Sequence, residues 1–494
     1  MTFPYFWHVI RNSRSHRRFW EGESVYIAGL RPILRAVWRF LLQTGNRCRQ
    51  NSHPLLYSVL LFLAGFTGTG QAQTYDLGEC VDAALAVSPE VRAADADLEI
   101  AKALADQANA LRFLPKLDLT WILGPSPEAR GDALTGETDL TSFNVFNRAE
   151  VTFLQPLYTF GRLGAARDAA MAGIDARTAG AAGSRERLTA QVAEAYYGLL
   201  LAHHLSDLAD EARTEIGKAR DRIDRALEED EGDYTYTDLF KLDRFVFDVE
   251  ENGNKVIKGR ALIASALKCL MGLGMADSLR LAEESLTPVE AGIGPLSSYL
   301  DRLPRRHDLK QLAAGVRILK AQAEAARAEF YPQLFLAGQF KYSYAPNRDN
   351  QSSPFARDDF NFLQAGAAIG LRQSLAFGQT SAKARKMKLE HVKLTYQRDL
   401  ARMGASLQIE GAYRDLIEAQ ANLAAARKAR RTTRRWFISS RDAFNAGLEE
   451  ASELIDAVKE YGIIRGKYFE AVYKFNKAWI ALNLATGQPI HPAG

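Results

Sequence analysis

The sequence predicts an α+β membrane protein: long antiparallel α-helices form a coiled-coil barrel, and four β-strands enter a β-barrel shared by several copies of the chain. Three observations support this prediction. The chain repeats itself in tandem, each repeat contains about 70 residues without proline, and each repeat has two segments whose apolar residues alternate. The composition, 47% hydrophobic and 25% charged, is ordinary for a protein with a buried core.

Residues 1–72 are predicted to be a signal peptide with an extended n-region. Arg47 and Arg49 precede the apolar run PLLYSVLLFLAGF, which is followed by small residues at Gly70 and Ala72. This order is typical of a secretory signal, and the run is too short to span a bilayer comfortably. The segment holds nine arginines and two acidic residues, so the rest of the chain has a net charge of −3. We therefore expect no nucleic-acid partner.

The internal repeat divides the exported chain into residues 73–290 and 291–494. The motif FLPKL at 113–117 recurs as FYPQL at 330–334, a shift of 217 residues. QPLYTFG, which begins at Gln155, recurs as QSLAFG from Gln373. Matches that keep one period and one order indicate a tandem duplication. Each repeat is predicted to contain a helix, two strands, a long helix and a further helix.

The first repeat illustrates these elements. Ser88 caps a helix that runs to Phe113, with proline at its first position, and Pro115 ends it. KLDLTWIL then alternates apolar and polar residues, which predicts a strand with one wet face. A loop over Pro125–Asp139 leads to a second strand, NRAEVTFLQPLY. The second repeat supplies the matching hairpin from 334–344 and 363–375.

The proline-free segments predict two helices of unusual length, 161–232 and 378–447. At 1.5 Å per residue each would span roughly 100 Å. Leu188, Val192 and Leu199 belong to a spacing of fours and threes, which indicates a coiled-coil seam. The shorter helices add up to nearly the same length, so two of them can stack end to end along each long one.

Four hairpin-joined strands with one apolar face need their edges closed, and a barrel closed by several copies is the natural solution in a membrane. A small soluble sheet that caps a helical bundle remains the alternative. Aromatic residues near the strand ends are expected to form a girdle at the membrane interface: Trp121, Phe143, Phe146, Tyr342, Tyr344, Phe360 and Phe362.

From Tyr75 to Gln488 the chain resembles the TolC family of outer-membrane efflux and secretion channels. The resemblance is carried by the opening YDLGECVDAALAVSPEVRAA, the two F-x-P-x-L junctions, QPLYTFGRLGAA and the closing AVYKFNKAWIALNLATG. It implies a homotrimer with a twelve-stranded barrel in outer-membrane lipid, a helical tunnel in the periplasm and a mixed α/β region formed by the segments near 275–305 and the C-terminus. It also implies a passive exit duct for small molecules or proteins, opened by a periplasmic adaptor and an inner-membrane pump of a tripartite efflux or type I secretion system. The alternative is a soluble periplasmic coiled-coil scaffold or adaptor without a pore.

The resemblance also gives a role to the acidic stretch GLEEASELIDA, residues 447–457. It implies that Glu453 and Asp456 form the narrowest ring of the tunnel, and their spacing places both on one helix face. With about 7 Å between charges and an effective dielectric of ~20, each like-charge pair costs on the order of 2 kcal/mol. Such a ring favours cations. Without the resemblance, the favoured explanation of acids in a first helical turn is the helix dipole after a glycine turn, with Ser452 as a candidate cap.

A second set of tip residues is expected from the same resemblance. Thr237 and Asp238 match a polar pair that braces the closed tip in the family. Where the best-known member has a tyrosine and an arginine as their partners, this chain has Phe444 and Glu449. Phenylalanine has no donor and Glu449 would repel Asp238, so we expect a different or looser latch here.

Enzymatic function is not expected, because the sequence has no Ser/His/Asp set, P-loop or CxxC motif. His203 and His204 lack the spacing of a metal pair and are interpreted as packed or surface residues. We therefore expect no cofactor and no metal site. The basic run RKARRTTRRW, residues 427–436, is interpreted as a solvated face, with contact to an acidic adaptor hairpin as the alternative.

Overall fold

The computed structural model describes residues 74–131, 136–229, 235–290, 292–350, 358–446 and 448–490. The predicted signal peptide therefore lies outside the described residues. The first repeat contains β1 (Thr74–Tyr75), α1 (Leu77–Val87), α2 (Pro89–Phe113), β2 (Lys116–Arg130), β3 (Glu137–Tyr158), α3 (Arg162–Glu228) and α4 (Tyr236–Met271). The chain continues with β4 (Arg280–Leu281), α5 (Leu296–Leu300), a 3-10 turn (Leu303–Arg305), α6 (His307–Ala328), β5 (Gln333–Tyr344), β6 (Phe362–Arg372), α7 (Phe377–Asn445) and α8 (Ala451–Thr486). The predicted order of helix, strand, strand, long helix and helix occurs twice.

The start of the helical region is fixed by two successive caps. Asp76 and Glu79 form a capping box for α1, and the Ser88 hydroxyl accepts from the Val91 amide at 3.4 Å to cap α2. Only the second of these caps is predicted above. Beside α1, β1 pairs in parallel with β4, and together with α5 these strands form the mixed region expected near 275–305.

The four long strands form one antiparallel sheet in the order β2-β3-β5-β6. Its register confirms the predicted alternation in the middle of the sheet, where neighbouring rows of paired residues differ in character. One row is entirely apolar and consists of Leu119, Val151, Phe340 and Ala365. The next row is polar and consists of Thr120, Glu150, Lys341 and Gln364. We call these two sides the apolar face and the polar face.

The strands of the first hairpin are longer than predicted. Residues expected to form the Pro125–Asp139 loop instead extend β2 to Arg130 and begin β3 at Glu137, with a register shift between Pro127 and Glu128. The prolines misled the prediction. They are tolerated because β2 is an edge strand of this sheet, where a missing amide donor leaves no ladder bond broken.

The two long helices are confirmed: α3 has 67 residues and α7 has 69. Helices α2 and α4 pack along α3, and α6 and α8 pack along α7, which is the predicted arrangement of short helices beside long ones. The coiled-coil seam is buried, with Val192 fully inaccessible and Leu199 2% exposed. Among the described helices, none has a stretch apolar enough to cross a bilayer.

The chain therefore has two ends. The strands connect to the helices at one end of the sheet, so the hairpin ends of the strands, at Arg130, Glu137, Tyr344 and Phe362, lie at the other end. The α3–α4 and α7–α8 turns lie at the far end of the helical part. We call the first end the outer mouth and the second the tip.

Candidate functional site

The predicted acidic site lies at the tip, where α7 turns into α8. The α7 helix ends at Asn445, and the Leu448 amide donates to the Ala443 carbonyl at 2.9 Å to close the turn. Glu450 is the N-cap of α8, without a side-chain cap bond. The expected Ser452 cap is therefore wrong: this residue lies inside the helix, and its hydroxyl donates to Glu450 at 3.2 Å.

Glu453 and Asp456 share one exposed side of α8, as their spacing predicts. Within the described part of the chain, neither carboxylate has an ion pair or a side-chain hydrogen bond. The intervening Leu454 and Ile455 line the protomer's interior, and Ala457 is fully buried. The two acids are therefore directed away from the helical core and face whatever adjoins α8.

The opposite side of α8 faces a cavity of about 170 Å³ between the four helices of the tip. Its walls include Ile216 and Ile223 of α3 and Leu242 of α4, all buried. This small apolar cluster holds the first helix pair, α3–α4, against the second pair, α7–α8. It is separate from the larger core near the middle of the helices.

The polar pair expected in the first tip turn is used within its own helix. Asp238 closes a capping box at the start of α4, where its Oδ2 accepts from the Thr235 amide at 3.2 Å and from the Thr235 hydroxyl at 2.8 Å. The Lys241 ammonium lies 3.7 Å from Asp238 Oδ1. Thr237 is exposed. The Asp238 carboxylate thus has partners of its own.

Glu449 turns back towards its own helix. Its Oε1 accepts from the buried Ser440 hydroxyl at 3.2 Å, and its Oε2 is buried without a hydrogen-bond donor among the described residues. A buried carboxylate oxygen without a donor is costly, so this contact is a weak point of the turn.

Phe444 takes part in a contact that sequence reasoning missed. The Arg222 guanidinium of α3 lies 5.4 Å from the Phe444 ring centroid, and its Nη1 donates to the Asn445 side-chain oxygen at 3.3 Å. Arg222 therefore ties the end of α3 to the end of α7 within one protomer. No sequence signal separates Arg222 from the other arginines of α3, because the contact joins residues 222 positions apart.

The other candidates have structural roles. His204 accepts from the Leu286 amide at 2.8 Å and stacks on Phe469, and burial lowers the pKa of its imidazole. This agrees with the packed interpretation. In the basic run, Arg430 lies 3.9 Å above the Tyr468 ring while most other charged members are exposed. The described residues contain no group of three His, Cys, Asp or Glu side chains placed to hold a metal ion.

A model of the outer membrane efflux protein family matches residues 80–229 and 300–488. The chain belongs to this family. The channel protein OprN has a similar solved structure, with a TM-score of 0.69 and 16% sequence identity over 84% of this chain and 91% of that one. The Neisseria gonorrhoeae MtrE channel in its open state has a TM-score of 0.68 and 17% sequence identity, over 84% of this chain and 89% of that one. Vibrio cholerae VceC has a TM-score of 0.65 and 18% sequence identity, over 84% of this chain and 97% of that one. No curated protein sequence gives a significant match.

Family membership confirms the predicted fold class and the resemblance on which it rested. The protein is an outer-membrane exit duct whose helical part projects into the periplasm as a tunnel. The family consists of channel proteins rather than enzymes. Nothing in the comparisons supports a soluble scaffold or adaptor.

Proposed function

We propose that three copies of the chain form one conduit, each giving its four strands to a twelve-stranded barrel and its helices to the tunnel. The four-stranded sheet is the observation that carries this proposal. Its apolar face is exposed, with Leu119 72% and Leu371 66% accessible, and β2 and β6 are the two edges of the described sheet. A sheet with these edges cannot stand in lipid until further strands close it.

In this assembly the apolar face meets lipid and the polar face lines the lumen. Export to the outer membrane would require the signal proposed for residues 1–72, followed by the repeats 73–290 and 291–494. A periplasmic adaptor and an inner-membrane pump would supply the cargo and the energy. The duct itself is passive.

We further propose that Glu453 and Asp456 of the three copies form an acidic constriction at the tip. Both carboxylates are exposed on one side of α8 in a single protomer, and the other side of the helix is committed to the tip cavity. Six like charges around one axis repel each other, and the repulsion is relieved by bound cations or by dilation. The closed tip is therefore cation-selective. The repulsion between the carboxylates also favours separation of the helix pairs, which opens the tip.

Outer-membrane fractions and planar bilayers test the assembly. We expect a species of three times the chain mass that dissociates only on heating in detergent, and stepwise single-channel currents from the purified protein. A monomeric protein that remains in the periplasmic fraction and gives no current would contradict the proposal and favour the soluble scaffold. A truncated chain lacking the apolar run 54–66 serves as the export control.

A further inference from the structure

At the outer mouth, the polar face carries a cluster of arginine and aromatic side chains that the tip mechanism does not use. Its members are Phe146, Arg148, Arg348, Asp358, Phe360 and Phe362. Arg148 is paired with Ser343 in the register, and Phe146 lies two residues earlier on the same strand, so both belong to the polar face. The sequence instead predicts Phe146, Phe360 and Phe362 in the aromatic girdle at the membrane interface.

Arg148 is the unusual member of this cluster. Its guanidinium lies between two rings, 5.7 Å from the Phe146 centroid and 5.5 Å from the Phe362 centroid, and donates to the Asp359 carbonyl. In the described residues no carboxylate lies within ion-pair distance of it. Lys341 on the same face is, by contrast, neutralised by Glu150 at 2.9 Å. Among the described residues, the positive charge of Arg148 thus has no ion-pair partner.

Two donors beside each other also lack acceptors. The Nε of Arg148 and the hydroxyl of Ser343 are both buried without a hydrogen-bond partner among the described residues, and Ser343 is 2% exposed. Directly paired residues of an antiparallel sheet have Cβ atoms about 5 Å apart, so one oxyanion can reach both side chains. Buried donors are normally satisfied, and a bound anion would satisfy these.

Residues 345–350, which follow β5, are tied to β2 by hydrogen bonds. The Asn347 side chain donates to the Ser126 carbonyl at 3.2 Å, and Arg348 donates to the Pro127 carbonyl at 3.1 Å, so the segment reaches the end of β2 from β5. Arg348 is stacked on Phe360 at 4.5 Å and paired with the buried Asp358 at 3.4 Å. Residues 345–350 are therefore held against β2 rather than extended away from the sheet.

We propose that Arg148 and Ser343, flanked by Phe146 and Phe362, form a binding site for planar organic anions at the outer mouth. The guanidinium and the hydroxyl bind the sulfonate or carboxylate of the ligand, and the rings stack on its aromatic part. The site gives the mouth a preference for anionic aromatic solutes. This inference depends on the proposed conduit, because only there does the polar face line a lumen.

Current block by 1-naphthalenesulfonate in planar bilayers tests the site. Added on the side of the outer mouth, it should reduce the single-channel current in a concentration-dependent way. Arg148→Gln should raise the half-blocking concentration at least tenfold, and Arg148→Lys should give an intermediate value because the charge remains without the planar fork. Phe362→Leu should weaken block by 1-naphthalenesulfonate but leave block by methanesulfonate unchanged.

The matched control is the double variant Glu150→Gln with Lys341→Gln, which removes an ion pair from the same face without changing the net charge. The current of this variant should be blocked by 1-naphthalenesulfonate at the same concentrations as that of the parent protein. Equal block in the parent and in Arg148→Gln, with normal conductance and heat-modifiable trimers in both, would overturn the site. An absence of any channel current would instead contradict the proposed conduit, so the two failures are distinguishable.

Discussion

At the tip, Glu453 and Asp456 have no ion-pair partner among the described residues and lie on the exposed side of a helix that begins two residues before Glu453. At the outer mouth, the Arg148 guanidinium also has no ion-pair partner among the described residues, but it lies beside two aromatic rings on a sheet. The candidate site of the tip is thus acidic and exposed, whereas that of the mouth is basic and packed against its neighbours. The tip is held by one small apolar cluster and Arg222, whereas the mouth is held by a hydrogen-bonded ladder.

In the proposed conduit, this difference assigns separate tasks to the two ends. A closed acidic ring excludes anions, so an anionic solute can pass only when the helix pairs separate and the ring widens. Once the tip is open, its field weakens with distance, and an anionic aromatic solute next meets the proposed Arg148 site. In this proposal the tip decides when solutes leave, and the mouth retains one class of solute longer than others.

Among the predicted changes, removal of the acidic ring should have the largest effect on ion selectivity. In the double variant Glu453→Gln with Asp456→Asn, six negative charges disappear from the trimer, and each like-charge pair is worth about 2 kcal/mol. We expect the permeability ratio of potassium to chloride, measured from reversal potentials in a KCl gradient, to fall severalfold. Block by millimolar magnesium from the tip side should disappear.

Glu470→Gln is the matched control for this prediction. It removes an exposed acid from the same helix, about 20 Å from the ring along α8. The control should keep the selectivity of the parent protein. Equal selectivity in the parent and the double variant would show that the constriction lies elsewhere.

The second prediction concerns the tie between the helix pairs. Arg222→Met removes a cation–π contact and a hydrogen bond, each worth about 1 kcal/mol, from each of three protomers. The closed tip should therefore be populated less, and single-channel conductance should rise severalfold. In cells, a large antibiotic that normally cannot cross the outer membrane should become toxic at lower concentration.

Arg220→Gln provides the comparison for Arg222. Arg220 lies two residues before Arg222 on α3. Its guanidinium pairs with Asp243 of α4 at 3.1 Å, within the first helix pair. Its loss should therefore leave the closure between the two pairs, and so the conductance, unchanged. If both variants raise conductance equally, general loosening of α3 explains the effect and the specific tie is refuted.

The third prediction restores the latch residues of the resemblance. Phe444→Tyr combined with Glu449→Arg adds a donor and replaces the acid expected to repel Asp238. We expect a tighter tip, with conductance and antibiotic leakage reduced about twofold. The effect is smaller than for Arg222, because Asp238 is already engaged by Thr235 and the new arginine must compete for it. Unchanged conductance and leakage would contradict this interpretation. Glu449→Gln, which keeps an acceptor for Ser440, is the control.

The sequence was sufficient for the features that depend on periodicity. Alternation along the strands predicted which residues share a face, and proline-free length predicted α3 and α7 to within a few residues. Composition was a poorer guide: prolines and glycines suggested a loop at Pro125–Asp139, where pairing with β3 extends both strands instead. Tertiary pairing overrode the local preference at an edge strand.

Sequence patterns could have predicted some of the side-chain contacts at the two ends. The T-x-x-D pattern of Thr235 and Asp238 is a capping-box signal, and it could have shown that Asp238 is engaged in its own helix. Strand parity could likewise have placed Phe146 beside Arg148. No pattern could reveal Phe360, which lies in a connection, or Arg222, because both depend on how distant segments meet.

The smallest predicted effect tests whether the mouth is as firmly held as the comparison requires. Asn347→Ala removes the hydrogen bond to the Ser126 carbonyl, worth about 1 kcal/mol, which corresponds to roughly a fivefold increase in transient opening of the segment. Trypsin added to intact cells should therefore cleave after Arg348 about fivefold faster, while the potassium-to-chloride ratio stays unchanged. Asn350→Ala changes an exposed neighbour without that bond and should leave cleavage at the parent rate. If Asn347→Ala alters ion selectivity as strongly as loss of the acidic ring, the mouth is not the fixed end of the conduit.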